Sequence, residues 1–153
     1  MLDPNLLAAP EWRDLLGQLA DSGAWVDFTQ GIDIRLMTDE KAAAINKVKY
    51  IRLHFAWDNF ADTVSLEKLK EYKTAFKGDY SKRVVYVLTN FNSTNEEDLC
   101  RVYTLRDLGY TPYVMIYDKF KAPRETRLLQ RWVNNKRIFR STKKFEEYDC
   151  TRG

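Results

Sequence analysis

Four short runs of strand-forming residues alternate along this chain with five amphipathic helical patterns, at about 30 residues per strand-helix unit. A regular alternation of this kind predicts a parallel sheet whose strands are joined by right-handed helical crossovers. A complete (β/α) barrel needs about eight such units, and this chain supplies four strands or, with a short one at Ile138-Phe139, five. The alternative for Ile138-Phe139 is a segment that only packs against the rest of the protein. The predicted strands are Trp25–Thr29, Tyr50–Asp58, Val84–Asn90 and Tyr113–Tyr117.

The second run separates apolar from polar residues by alternation, although helices flank it in sequence. One face carries Ile51, Leu53, Phe55 and Trp57, and the other carries Arg52, His54, Ala56 and Asp58. A central strand of an open doubly wound sheet is apolar on both faces, so a barrel with outer helices and a functional lumen explains the pattern better. We therefore expect an α/β fold, an incomplete (β/α) barrel over residues 1–140, followed by a polar tail over residues 141–153 that frays toward its end.

Helix starts are marked by residues that cap free backbone N–H groups. Thr38 and Ser65 are the predicted caps of two helices, and Thr94 with Glu97 forms a capping box for a third. The last helix is predicted over residues 124–134.

Composition limits the class of protein. The 153 residues hold 25 basic and 22 acidic side chains, and this near cancellation argues against a dedicated nucleic-acid binder. No apolar run reaches the roughly 20 residues that span a bilayer, and the N-terminus lacks a signal-peptide pattern, so we expect a cytoplasmic protein with no membrane partner. Cys100 and Cys150 suit unrelated thiols better than a disulfide, and their spacing forms no metal motif.

Polar residues collect where the first two strands end. Gln30, Asp33 and Arg35 follow the first strand, and Asp58 and Asn59 end the second. The carboxyl ends of neighbouring parallel strands are where α/β proteins bind their ligands, so these residues predict a binding site.

Several segments occur in an order that resembles a known family. These segments resemble the later strands of radical S-adenosylmethionine domains, and the resemblance extends over nearly the whole chain: DPNLLAAPEWRDLLGQLADSGAWVDFTQGIDIRL, IRLHFAWDN, VYVLTNFN, LRDLGY and PYVMIYDK. The family fold is a partial (β/α)6 barrel, in which a CxxxCxxC motif binds a four-iron four-sulfur cluster. S-adenosylmethionine binds that cluster and is cleaved to a deoxyadenosyl radical that abstracts hydrogen from the substrate.

The resemblance implies that this chain corresponds to the C-terminal two-thirds of such a domain, because CxxxCxxC is absent. The cofactors would be S-adenosylmethionine and the cluster, with the cluster ligands supplied by an N-terminal cluster-bearing portion or subunit. No catalytic or metal-ligating residue is assigned. The residues that would contact cofactor or substrate are Asp3, Asn5, Gln30, Asp33, Arg35, Asp58, Asn59, Thr89, Asn90, Tyr117 and Asp118.

Structural roles remain open for several of these residues. Asp33 and Arg35 can form an internal ion pair, and Asp58 and Asn59 can cap the following segment. His54 is the only histidine, and a lone histidine is more often a hydrogen-bonded structural residue than a catalytic one.

A second hypothesis is a non-catalytic binding module. The C-terminal third is rich in basic residues with interleaved aromatic rings, which suits nucleic acid, although a solvated helix face explains most of these charges equally well. The basic residues and interleaved rings of this third are Lys119, Lys121, Arg124, Arg127, Arg131, Lys136, Arg137 and Arg140, with Phe120, Trp132 and Phe139.

An incomplete barrel leaves sheet edges unpaired, so we expect the isolated chain to dimerise or aggregate.

Overall fold

A computed structural model describes residues 5–151 and shows a four-stranded, all-parallel sheet with helices packed against it. The strands lie in sequence order, β1-β2-β3-β4, and each pairs in parallel with the next. This confirms the predicted α/β class and four of the strands. The strands are β1 Trp25–Phe28, β2 Lys49–Ala56, β3 Arg83–Thr89 and β4 Thr111–Ile116. The helices are α1 Trp12–Ser22, α2 Asp39–Ile45, α3 Thr63–Glu71, α4 Asn95–Asp107, α5 Arg124–Asn134 and α6 Lys136–Ser141.

The core lies on one side of the sheet. Leu53 and Phe55 of β2 and Val85 and Val87 of β3 are fully buried against residues of the preceding and following helices. A second cluster around Trp132 joins α4, β4 and α5. The opposite side is polar and partly open, since Arg52, Tyr113 and Met115 remain exposed there. The sheet is therefore covered by its helices on one face only.

An irregularity in the pairing of β1 with β2 corrects the predicted faces of the second strand. Val26 pairs with Tyr50 but the next residue, Asp27, pairs with Arg52, so Ile51 is the extra residue of a bulge. Ile51 was predicted on the buried face with Leu53 and is instead 45% exposed, while Tyr50 is buried. The Tyr50 hydroxyl donates to the Lys77 carbonyl at 2.7 Å.

The helix caps agree with the sequence at two of three positions. The Thr38 hydroxyl accepts from the Lys41 amide, and Thr94 and Glu97 form the reciprocal capping box. Ser65 is not a cap: its amide and hydroxyl both donate to the carboxylate of Asp62, which caps α3 three residues earlier. Asp62 provides the stronger acceptor, so the helix begins at Thr63.

The outer edge of β4 is covered by side chains of α5. Asn134 Oδ1 accepts from the Val114 amide at 2.8 Å, and Asn134 Nδ2 donates to the Val114 carbonyl at 2.9 Å. Gln130 Nε2 donates to the same carbonyl at 3.2 Å. An amide side chain thus takes the place of a further strand at the centre of this edge. Within residues 5–151, β1 pairs with β2 alone, so its outer edge has no partner strand either.

The segment after Ser141 folds back onto the second cluster. The Phe145 amide donates to the Tyr103 hydroxyl at 2.9 Å, and the Phe145 ring lies 5.6 Å from that of Trp132. Ile138 and Phe139, left open between a strand and a packing segment, lie in α6 and pack against this cluster. Among residues 5–151 the structure contains no helix whose length and apolar character would let it cross a membrane.

Candidate functional site at the strand ends

A cavity of about 580 Å³ lies at the carboxyl ends of β1 and β2. We call it the strand-end cavity. Six of the residues implied by the family resemblance line this cavity. Asn5 comes from the N-terminal segment, and the others lie at the ends of the first two predicted strands: Gln30, Asp33, Arg35, Asp58 and Asn59. Asp3 lies outside the described residues.

The loop after β1 is shaped by one glycine and one short turn. Gly31 has φ of +88°, a conformation that other residues rarely adopt, and its amide donates to the Phe28 carbonyl. The next amide, of Ile32, donates to the His54 carbonyl at 2.6 Å and so keeps the loop against β2. Asp33 then caps a 3-10 turn by accepting from the Arg35 amide at 3.0 Å. These contacts place Gln30, Asp33 and Arg35 on one wall.

Asp33 and Arg35 form the ion pair that the sequence left as an alternative. Arg35 Nε donates to Asp33 Oδ1 at 2.8 Å, and Arg35 Nη2 donates to Asp33 Oδ2 at 2.7 Å. This bidentate bond holds the pKa of Asp33 below its usual value. The Arg35 side chain nevertheless remains 57% exposed, so its guanidinium is accessible to a ligand carboxylate from the solvent side.

Asp58 is the cavity carboxyl whose proton affinity is raised. Burial is the largest influence and raises its pKa, and the nearby Asp62 acts in the same direction. The Leu88 amide and the Arg101 guanidinium oppose this shift without cancelling it. A carboxyl of this kind can accept a proton from a ligand or bind an ammonium group.

Sequence reasoning missed Arg101, which supports the floor of the site. Arg101 is fully buried and donates to the Trp57 carbonyl at 2.8 Å, to the Leu88 carbonyl at 2.7 Å and to Asp98. It thereby ties the end of β2, directly before Asp58, to the end of β3. The available signal was a charged pair, Asp98 and Arg101, at helical spacing from Val102 and Leu105.

The other four implied residues lie at the ends of β3 and β4 and do not line the strand-end cavity. Thr89 is fully buried and donates to the Met115 carbonyl, while Asn90 Nδ2 donates to the Tyr117 carbonyl at 2.9 Å. Asn90 and Asp118 adopt left-handed backbone conformations, with φ of 61° and 47°, which Asn and Asp tolerate better than most residues. Tyr117 is 54% exposed and packs against Phe91.

His54 occupies the open face of the sheet beside the cavity wall. It is only 6% exposed, its ring stacks on Tyr86 with centroids 5.3 Å apart, and its Nδ1 lies 3.5 Å from Asp27 Oδ1. Burial lowers the pKa of His54, and the nearby Asp27 carboxylate offsets this only in part. The imidazole is therefore neutral at pH 7.

Acidification should weaken the fold through His54. Because the folded chain binds this proton less tightly than the unfolded chain, stability is retained above pH 6.5, the unfolded pKa, and is lost as the pH falls below it. One group contributes no more than about 1.4 kcal/mol per pH unit. Urea unfolding between pH 5.5 and 7.5 measures this loss, and a His54→Gln variant should show a shallower dependence. Parallel curves for the two proteins would contradict the prediction. His54→Gln serves as the reference because the raised pKa of Asp58 makes the folded state more stable as the pH falls, which opposes the effect of His54.

The cysteines do not fit an iron-sulfur cluster. A CxxxCxxC motif supplies three cysteines, whereas this sequence has two, and both Cys100 and Cys150 are free thiols, the first exposed. Among residues 5–151, no three His, Cys, Asp or Glu side chains are grouped in a way that could hold a metal ion.

Comparison with known proteins found no family model, curated protein or solved structure that matches this chain.

Proposed function

We propose that this chain is the cofactor-binding and substrate-cavity part of a radical S-adenosylmethionine enzyme, with its four strands forming a section of a (β/α) barrel. The observation that carries the proposal is the convergence of Gln30, Asp33, Arg35, Asp58 and Asn59 on one cavity at the carboxyl ends of two neighbouring strands. This is the position at which barrel proteins bind their ligands.

The arrangement of the sheet favours a section of a barrel rather than a doubly wound sheet. Strands in sequence order with helices on one face and polar side chains on the other are what an arc of a barrel wall requires. Asn134 closes the edge of β4, while the edge of β1 has no partner strand within residues 5–151. Further barrel strands would therefore join at β1.

The groups around the cavity suit the polar parts of S-adenosylmethionine. The Arg35 guanidinium suits an α-carboxylate, Asp58 suits an α-ammonium group, and the amides of Gln30 and Asn59 suit ribose hydroxyls. A volume of about 580 Å³ lies within the range of small-molecule sites. Hydrogen abstraction by a deoxyadenosyl radical would need a cluster held by cysteines that are not in this sequence, so the role proposed for this chain is binding and orientation.

We expect S-adenosylmethionine to bind the isolated chain weakly, with a dissociation constant on the order of 1 mM, because the cluster that would anchor the cofactor is lacking. Titration followed by amide chemical shifts of the ¹⁵N-labelled protein should move the signals of residues 30–35 and 58–62. Arg35→Gln and Asp58→Asn should each weaken binding about 5-fold to 10-fold, which corresponds to one hydrogen bond of about 1–1.4 kcal/mol.

Arg13→Gln is the matched control, because Arg13 is an exposed arginine that pairs with Glu40 on the helical side. It should bind like the unaltered protein. Shifts confined to other regions, or equal affinity in all three variants, would refute a cofactor site in the strand-end cavity.

A further inference from the structure

The open face of the sheet carries a groove that adjoins the strand-end cavity at Gln30 and Tyr86. Two adjoining depressions, of about 620 and 350 Å³, share Thr111, Val133 and Lys136. We call them together the open-face groove. The larger depression runs over β2, β3 and β4, and the smaller continues between the start of β4 and α6.

Aromatic rings form the floor of the larger depression. Tyr86 stacks on His54 at one side and meets Tyr113 edge to face at the other, with centroids 5.8 Å apart. Tyr113 and Met115 are each 45% exposed although they lie on an ordered strand. Aromatic side chains exposed on a rigid sheet are the surface on which RNA-binding sheets stack bases.

Four cationic side chains line the groove. Arg52, Lys136, Arg140 and Lys143 contribute to its walls, and none of the four has a carboxylate within 4.0 Å among the described residues. Burial lowers the pKa of Lys136, and Arg52 and Arg140 lower it further by repulsion. Asp27 lies beside His54, and Asp79 interacts with Arg140 at longer range.

The smaller depression is held in shape by Arg106. Its guanidinium lies 3.6 Å from the centroid of the Phe139 ring and donates to the carbonyls of Phe139 and Lys143. These contacts fix the path of the chain that presents Arg140 and Lys143. Arg106 therefore holds the backbone that carries the positive charge of this wall.

We infer that the open-face groove binds single-stranded nucleic acid, with bases stacked on Tyr86 and Tyr113 and phosphates beside Arg52, Lys136, Arg140 and Lys143. Positive charge along a groove with aromatic rings in its floor is the combination that single-strand binding requires. The cations extend over both depressions, which suits several successive phosphates better than the phosphate of one free nucleotide. This inference does not depend on the proposed cofactor site.

Fluorescence anisotropy with a labelled dT10 oligonucleotide tests the inference over a range of salt concentrations. Neutralising three or four phosphates predicts that the logarithm of the association constant falls against that of salt with a slope of about −2 to −3. Lys136→Gln and Arg140→Gln should each make the slope shallower by about 0.7. Tyr113→Ala should lower affinity about 10-fold to 100-fold and leave the slope unchanged, because it removes a stacking surface.

Lys70→Gln is the matched control, since Lys70 is exposed on α3 in the helical layer. Thermal melts of all variants check that each is folded. Absence of binding at 20 mM salt, or equal weakening by Lys70→Gln and Lys136→Gln, would overturn the groove as the site. Displacement of the oligonucleotide by thymidine monophosphate at equal concentration would overturn a strand as its ligand, as would equal affinity for a duplex.

Discussion

Arg101→Met is expected to destabilise the protein by about 3–5 kcal/mol, because it leaves a buried carboxylate and two carbonyl groups without their donor. Arg101 and Asp98 are both buried, and the guanidinium also donates to the carbonyls of Trp57 and Leu88. Met retains much of the side-chain volume, so the loss comes from charge and hydrogen bonding. Urea denaturation at pH 7 gives the free energy of unfolding.

A double variant distinguishes the loss of the ion pair itself from the cost of leaving Asp98 buried without a partner. Asp98→Leu with Arg101→Met removes both charges, and we expect it to recover much of the stability lost in Arg101→Met alone. Lys68→Met is the control at an exposed pair, where Lys68 lies 2.8 Å from Glu71 and a change below about 1 kcal/mol is expected. A loss in Arg101→Met no larger than in Lys68→Met would show that Arg101 does not support the strand ends.

The features predicted correctly from sequence depend on local patterns. The strands follow from short apolar runs, the capping box from Thr94 and Glu97, and α5 from the amphipathic pattern over residues 124–134. The grouping of Gln30 with Asp58 also followed from sequence, since parallel strands place their carboxyl ends at one edge of a sheet.

The features that sequence did not reveal depend on contacts between distant residues. The bulge at Ile51 arises from its pairing with β1, and alternation alone assigns that residue to the wrong face. Asn134 covers the edge of β4 from 20 residues away, which an argument from unpaired strands could not anticipate. Net charge likewise hides the fact that cations such as Arg52 and Lys136 gather in one groove, in which no residue of the described lining is a carboxylate.

Trp132→Ala is expected to cost about 3–5 kcal/mol, the range for removing a large buried aromatic side chain. Trp132 is fully buried, its ring meets those of Tyr103, Phe139 and Phe145, and its Nε1 donates to the Thr142 carbonyl at 3.2 Å. The change therefore removes the contact surface of α6 and of the segment that follows it. Urea denaturation measures the loss of stability.

In Trp132→Ala, the segment after α5 should detach before the rest of the protein unfolds. This segment packs on Trp132, whereas the cluster around Phe55 does not include that residue. Limited trypsin digestion should cut Trp132→Ala after Lys143 and Lys144 at concentrations that leave the unaltered protein intact. Trp25→Ala is the control, since Trp25 is 65% exposed and its loss should change stability by less than about 0.5 kcal/mol. If Trp132→Ala resisted trypsin as the control does, the C-terminal segment would be held by other contacts, and the wall of the open-face groove would not depend on this cluster.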